Sequence, residues 1–105
     1  MTTQPSKIYV KKLALIMKTY KLVFSNDFKK IVKKLDPTVQ KLVFAYIKKY
    51  LENTDNPRLH GKALVGDKKG FWRYRIANYR LIVEIIDDKL IIVALTFGHR
   101  KDIYK

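Results

Sequence analysis

Cysteine is absent from this 105-residue chain. Disulfides, thiolate metal sites and cysteine nucleophiles are therefore excluded, and the composition fits a reducing cytoplasm, where the chain is expected to act. Acidic residues are scarce: nine Asp and Glu stand against 23 Lys and Arg, a formal net charge of +14. Self-repulsion at that charge opposes compaction. A domain carrying it usually meets a polyanion, whether nucleic acid, an anionic membrane face or an acidic protein. No histidine and carboxylate spacing resembles a metal site, and there is no glycine-rich phosphate loop, so no metal or cofactor is expected. Internal repeats and low-complexity runs are missing too. No basic helix with a bulky apolar face is available for lipid insertion, so no membrane partner is expected.

What remains is enough for one domain with its own core. Hydrophobic residues make up 48% of the chain, with seven Tyr, five Phe and one Trp. The first sixteen residues stand apart. Ile8 to Ile16 is mixed apolar and basic, too short to span a bilayer and without the apolar core and cleavage site of a signal peptide. Met17-Lys18-Thr19-Tyr20 reads as a natural start. Residues 1–16 are thus expected to be an upstream extension or a misassigned start, and 17–105 the domain. The extension's charged residues are Lys7, Lys11 and Lys12, so most of the basic excess belongs to the domain.

Tyr20 to Phe24 has the aromatic and β-branched content of a short strand. Ser25-Asn26-Asp27 supplies cap chemistry, and Phe28, Ile31, Val32 and Leu35 recur at helical spacing, predicting a helix from about Asp27 to Lys34. Asp36 then caps a second helix with Pro37 in its first position, ending near Asn53. Its apolar stripe runs through Val39, Leu42, Val43, Tyr46, Ile47, Tyr50 and Leu51. Arg58 to Lys69 reads as a loop. From Gly70 the period changes to two: Trp72, Tyr74 and Ile76 share one face, Phe71, Arg73 and Arg75 the other. Ala77-Asn78 predicts a tight turn, Tyr79 to Ile86 a second strand, Asp87-Asp88 another turn, and Lys89 to Phe97 a central strand buried on both faces. Gly98 is expected to end it. The order is β-α-α-β-β-β, an α+β fold with an α-helical hairpin on a small, mostly antiparallel sheet.

A two-residue turn at Ala77-Asn78 sets Ile76 opposite Tyr79, Arg75 opposite Arg80 and Tyr74 opposite Leu81. Three arginines, Arg73, Arg75 and Arg80, then gather on one face, although like charges opposite each other are destabilising. A plain solvated basic face is the alternative. The interleaved aromatics, and arginine where lysine would solubilise equally well, favour a surface that grips phosphate oxygens with planar forks. Phe71 shares that face and is the candidate for stacking on a base, whereas Trp72 is expected in the core. Beyond Gly98, His99, Arg100 and Tyr104 form a tail that folding back would bring over the arginines. Histidine is the side-chain type whose proton exchange lies nearest neutral pH, and a tyrosine among arginines shifts towards its anion. His60, in the loop, has no partner in sequence and is assigned no role.

The run Gly70-Phe-Trp-Arg-Tyr-Arg-Ile-Ala-Asn-Tyr-Arg-Leu-Ile-Val-Glu-Ile-Ile-Asp-Asp-Lys-Leu90, closed by Gly98-His-Arg-Lys-Asp-Ile-Tyr104 and preceded by Pro57-Arg-Leu-His-Gly-Lys-Ala-Leu64, resembles the RelE/ParE superfamily of type II toxins, RelE-like branch. The resemblance covers Met17 to Lys105. It implies a metal-independent endoribonuclease that cleaves mRNA in the ribosomal A site and stops translation, the RNA 2′-hydroxyl attacking the adjacent phosphodiester. Carried across by motif, the catalytic residues are Arg73, Arg75, Arg80, Arg100 and Tyr104, with His99 beside them. Lys62, Lys68, Lys69, Lys101 and Phe71 are the accompanying RNA-binding residues. Guanidinium stays protonated, so the general base falls to Tyr104 or His99, with Glu84, on the Arg80 face, as a further candidate.

The resemblance also implies a cognate antitoxin whose acidic segment covers the basic face, and contact with promoter DNA only through that antitoxin. Two other functions stay open at this point. One is a ParE-like inhibitor of DNA gyrase that cleaves nothing, and the other is a non-catalytic nucleic-acid-binding module.

Overall fold

The computed structural model describes residues 18–64 and 70–99. The expected extension at residues 1–16 lies outside them, as do the expected positions of Lys68, Lys69, Arg100, Lys101 and Tyr104. Strand β1 (Lys21–Phe24) leads to helix α1 (Asn26–Lys33) and helix α2 (Pro37–Tyr50). Four strands follow: β2 (Gly61–Ala63), β3 (Phe71–Ile76), β4 (Tyr79–Ile86) and, after a short 3-10 turn at Asp87–Lys89, β5 (Ile91–His99). The expected order is present with one strand more.

Both helix starts are built as their residues dictate. The Ser25 hydroxyl accepts from the Phe28 amide and donates to the Leu95 carbonyl, tying the α1 cap to β5. Asp36 accepts from the Thr38 amide ahead of Pro37 in the first turn of α2.

The sheet runs β1-β5-β4-β3-β2, with β1 parallel to β5 and the other pairs antiparallel. Its inner face packs Tyr74, Ile76, Leu81, Val83, Ile85, Ile92, Ala94 and Phe97 with Phe28, Val43, Ile47 and Leu51 from the helical segment. Tyr74 is fully buried, and its hydroxyl donates to the Pro57 carbonyl oxygen. Burial pushes that phenol's pKa up, so it remains a neutral donor. Among the described residues no helix is long and apolar enough to cross a membrane.

Three expectations need correction. Gly61 to Ala63 pairs with Trp72 to Tyr74 as an edge strand, not a loop. Three residues without alternation carry no strand signal, and the pairing comes from the neighbouring strand. Gly98 does not end β5, because it pairs with Arg80 and the ladder continues to His99 opposite Tyr79.

The third concerns His99. Ile82 faces Thr96 while Val83 faces Ala94, leaving Leu95 as the extra residue of a β-bulge. A bulge inverts the alternation beyond it. Phe97 and His99 therefore share the inner face with Tyr79, whose ring stacks on Phe97 and meets His99 edge-on at 5.6 Å. His99 does not fold over the arginines.

Candidate functional site

The hairpin register is the expected one: Ile76 faces Tyr79, Arg75 faces Arg80 and Tyr74 faces Leu81. Ala77 takes a left-handed φ of 53° at the first turn position, where a type II′ turn requires one. Strand β2 enlarges the outer face, since Lys62 pairs with Arg73. His60, in the turn just before β2, reaches the same cleft as Arg75. Lys62, Arg73, Arg75, Arg80 and His60 together line a cleft of about 150 Å³. Phe71 lies on the same face further along β3, opposite Glu84, and Glu84 makes no ion pair with an arginine among the described residues.

Arg80 is the unusual member. It is 5% exposed. Its Nη1 donates to the Tyr79 carbonyl oxygen at 2.9 Å, and its buried Nε has no hydrogen-bond partner among the described residues. A buried donor left unpaired costs about 1–3 kcal/mol, more when charged. Arg75 stands directly across, and like charges opposite one another in a sheet are destabilising. Favourable cross-strand pairs contribute about 0.2–1 kcal/mol each, so the hairpin's own contacts do not offset this. An anion seated between the two guanidinium groups would reverse the sign and fill the vacant donor.

A second polar cluster sits at the rim. Arg58 grips Asp87 through Nη1···Oδ1 at 3.0 Å and Nη2···Oδ2 at 2.8 Å, and the Tyr20 hydroxyl donates to the same carboxylate at 2.6 Å. The Arg58 and Tyr20 hydrogen bonds hold the Asp87 carboxyl below its ordinary pKa, and that carboxylate raises the pKa of both partners. The guanidinium also lies 5.4 Å over the Trp72 ring, so Trp72, half-buried against the core, carries a rim contact as well. This cluster pins the segment leading into β2.

Of the sequence-derived candidates, the cleft unites Lys62, Arg73, Arg75 and Arg80, and Phe71 flanks it. His99 lies on the other face. His60, passed over in the sequence, belongs to the cleft; its signal is the register of β2, which no periodicity announces.

A family model described as the ParE toxin of type II toxin–antitoxin systems matches residues 22–104. A protein of Escherichia coli that bears a RelE-like toxin name is 32% identical over 88 residues, covering 81% of this chain and 90% of that protein. Among solved structures, the toxin–antitoxin complex RelBE2 of Mycobacterium tuberculosis superposes with a TM-score of 0.69 at 25% identity, covering 78% of this chain and 99% of its counterpart. The isolated RelE toxin of E. coli superposes at 0.64 and 23% identity, covering 81% and 90%. The intact E. coli RelBE complex gives 0.63 and 22%, covering 76% and 95%; these last two speak for the fold alone. On the family match and the E. coli relative, the chain belongs to the RelE/ParE superfamily of type II toxin–antitoxin toxins.

Proposed function

We propose that the chain is an mRNA endonuclease acting in the ribosomal A site, with the cleft of Arg73, Arg75, Arg80 and Lys62 as its phosphate-binding centre. The observation carrying this reading is Arg80: a buried guanidinium whose Nε has no hydrogen-bond partner among the described residues, facing a second arginine. In the reaction the RNA 2′-oxygen attacks the adjacent phosphorus while its proton passes to a base. The bond to the 5′-oxygen breaks, leaving a 2′,3′-cyclic phosphate and, after protonation, a 5′-hydroxyl. Charge builds on the non-bridging oxygens in the transition state, and fixed guanidinium donors stabilise it without reorganising.

Arg100 and Tyr104 join the centre by the family resemblance, with Lys68, Lys69 and Lys101 as further contacts to the RNA and Phe71 as a stacking surface. A cognate antitoxin is the natural inhibitor. The structural neighbours include RelB-bound toxins, and an acidic segment laid over this face would neutralise the charges that bind phosphate.

The test is a purified translation system with mRNA ends mapped after adding the protein. Cuts within the A-site codon, absent without ribosomes and lost in Arg80→Ala or Tyr104→Phe, are expected. Intact mRNA with normal translation would overturn the nuclease reading. The family model carries a ParE name, so inhibition of supercoiling by DNA gyrase is the reading to test next.

A further inference from the structure

The cleft holds phosphate well but offers little to move a proton. Arginine does not give up its proton in proteins, and a lysine ammonium is a donor without acceptor capacity. His99 faces away, on the inner side of the sheet. Among the described residues lining the cleft, His60 is the one side chain with a nitrogen lone pair able to accept a proton.

His60 is also held in place. Two residues earlier, Arg58 is clamped by Asp87, and Pro57 receives the Tyr74 hydroxyl. The turn closes with the Leu59 amide donating to the Asn56 carbonyl and the Gly61 amide to the Arg58 carbonyl, both at 3.3 Å. Gly61 comes so close to the sheet that an added Cβ would stand 2.9 Å from the Tyr74 ring. The imidazole rests edge-on against the Tyr50 ring at 4.6 Å. With the turn on either side of it tied down and its ring against Tyr50, the imidazole is positioned at the cleft in the manner a proton-transfer group requires.

We infer that His60 is a catalytic residue of the phosphodiester cleavage, the base that takes the proton of the attacking 2′-hydroxyl; this rests on the nuclease reading above. The 2′-oxygen then forms its bond to phosphorus, the 5′-oxygen departs with the bonding pair, and solvent water protonates it. Arg75 and Arg80 hold the non-bridging oxygens, and Lys62 and Arg73 hold the neighbouring phosphate. The groups facing the imidazole are Tyr50 from α2, with Lys49 over its ring, Lys62 from β2, Arg73 and Arg75 from β3 and Arg80 from β4. All of the charged ones are cations, so no carboxylate among the described residues lining the cleft competes with the imidazole for the proton.

The experiment is single-turnover cleavage on programmed ribosomes, comparing wild type with His60→Gln and His60→Ala. Binding is measured separately with mRNA carrying a 2′-deoxy nucleotide at the cut site. His60→Gln is expected to slow cleavage about 100-fold, to leave binding within about twofold, and to flatten the rise of rate with pH. Added imidazole should partly restore His60→Ala. Wild-type rates and pH profiles in both variants, or a rate loss matched by lost affinity with the pH profile intact, overturn the assignment while leaving the nuclease reading standing. Uncut mRNA with the wild-type protein removes the nuclease reading and His60's role with it.

Discussion

Arg58, at the rim of the sheet, holds a carboxylate with two nitrogens and is covered by the Trp72 ring. Arg80, on a middle strand, is more deeply buried, holds one backbone carbonyl and, among the described residues, finds no partner for Nε opposite a second arginine. The two are chemically identical side chains in finished and unfinished surroundings. Where the protein supplies the anion itself, the arginine fixes a loop. Where it supplies none, the proposed function has a ligand's phosphate bring the anion. On that reading, stability and function are separated by which arginine receives its partner from within the chain.

Replacing Arg80 should break the comparison most sharply. Arg80→Met is expected to lower single-turnover cleavage by at least about 100-fold, on the order of 3 kcal/mol of transition-state stabilisation. Its Tm should hold or rise, because a buried unpaired charge gives way to apolar packing. A clear fall in Tm with cleavage preserved would make Arg80 structural.

Gly61→Ala should cost about 1–3 kcal/mol of stability by denaturant titration, since the new Cβ meets the fully buried Tyr74 ring. An unchanged midpoint would show that β2 floats free of the core.

Arg58→Met is expected to cost about 1 kcal/mol, a modest figure because the Asp87 side chain is 59% exposed and screened. The pH dependence gives a second reading. The Asp87 carboxyl lies below its ordinary 3.8 in the fold, so the stabilisation is fully present above about pH 4 and is lost as pH falls through the folded value. The Tm gap between wild type and Asp87→Asn should therefore be constant above about pH 5 and close in acid. A gap that persists in acid would assign the effect to packing.

Ala77→Gly is the smallest change and of opposite sign. It relieves a left-handed alanine at the price of a more flexible unfolded chain, for a net gain of roughly 0.5 kcal/mol with cleavage unchanged. Loss of cleavage there would mean that the turn contacts RNA.

These residues also mark how much of the molecule could be read from its sequence. Strict alternation from Phe71 to Ile76, ended by a two-residue turn, leaves one register that buries Tyr74 and Ile76, so the Arg75–Arg80 pair was legible. The caps at Ser25 and Asp36 were equally plain, because each is a local contact spanning two or three residues. Where His60 and His99 would lie was not legible, for non-local reasons. Gly61 to Ala63 becomes a strand only because β3 offers an edge, and that pairing carries His60 into the cleft. Leu95 is spelled like any other residue of an apolar run, yet as the bulge it turns His99 to the opposite face. Periodicity reports the faces of an uninterrupted strand and is silent about an insertion within it.

The claim that Arg80 awaits an anion is tested most directly by 15N NMR of the arginine Nε–H groups during titration with a 2′-O-methyl trinucleotide. The Arg80 Nε–H resonance is expected to move saturably as a new hydrogen bond forms, while that of Arg58, already engaged with Asp87, stays in place. An Arg80 resonance unmoved at saturating trinucleotide, or one that moves only in step with every other cation on the surface, would contradict it.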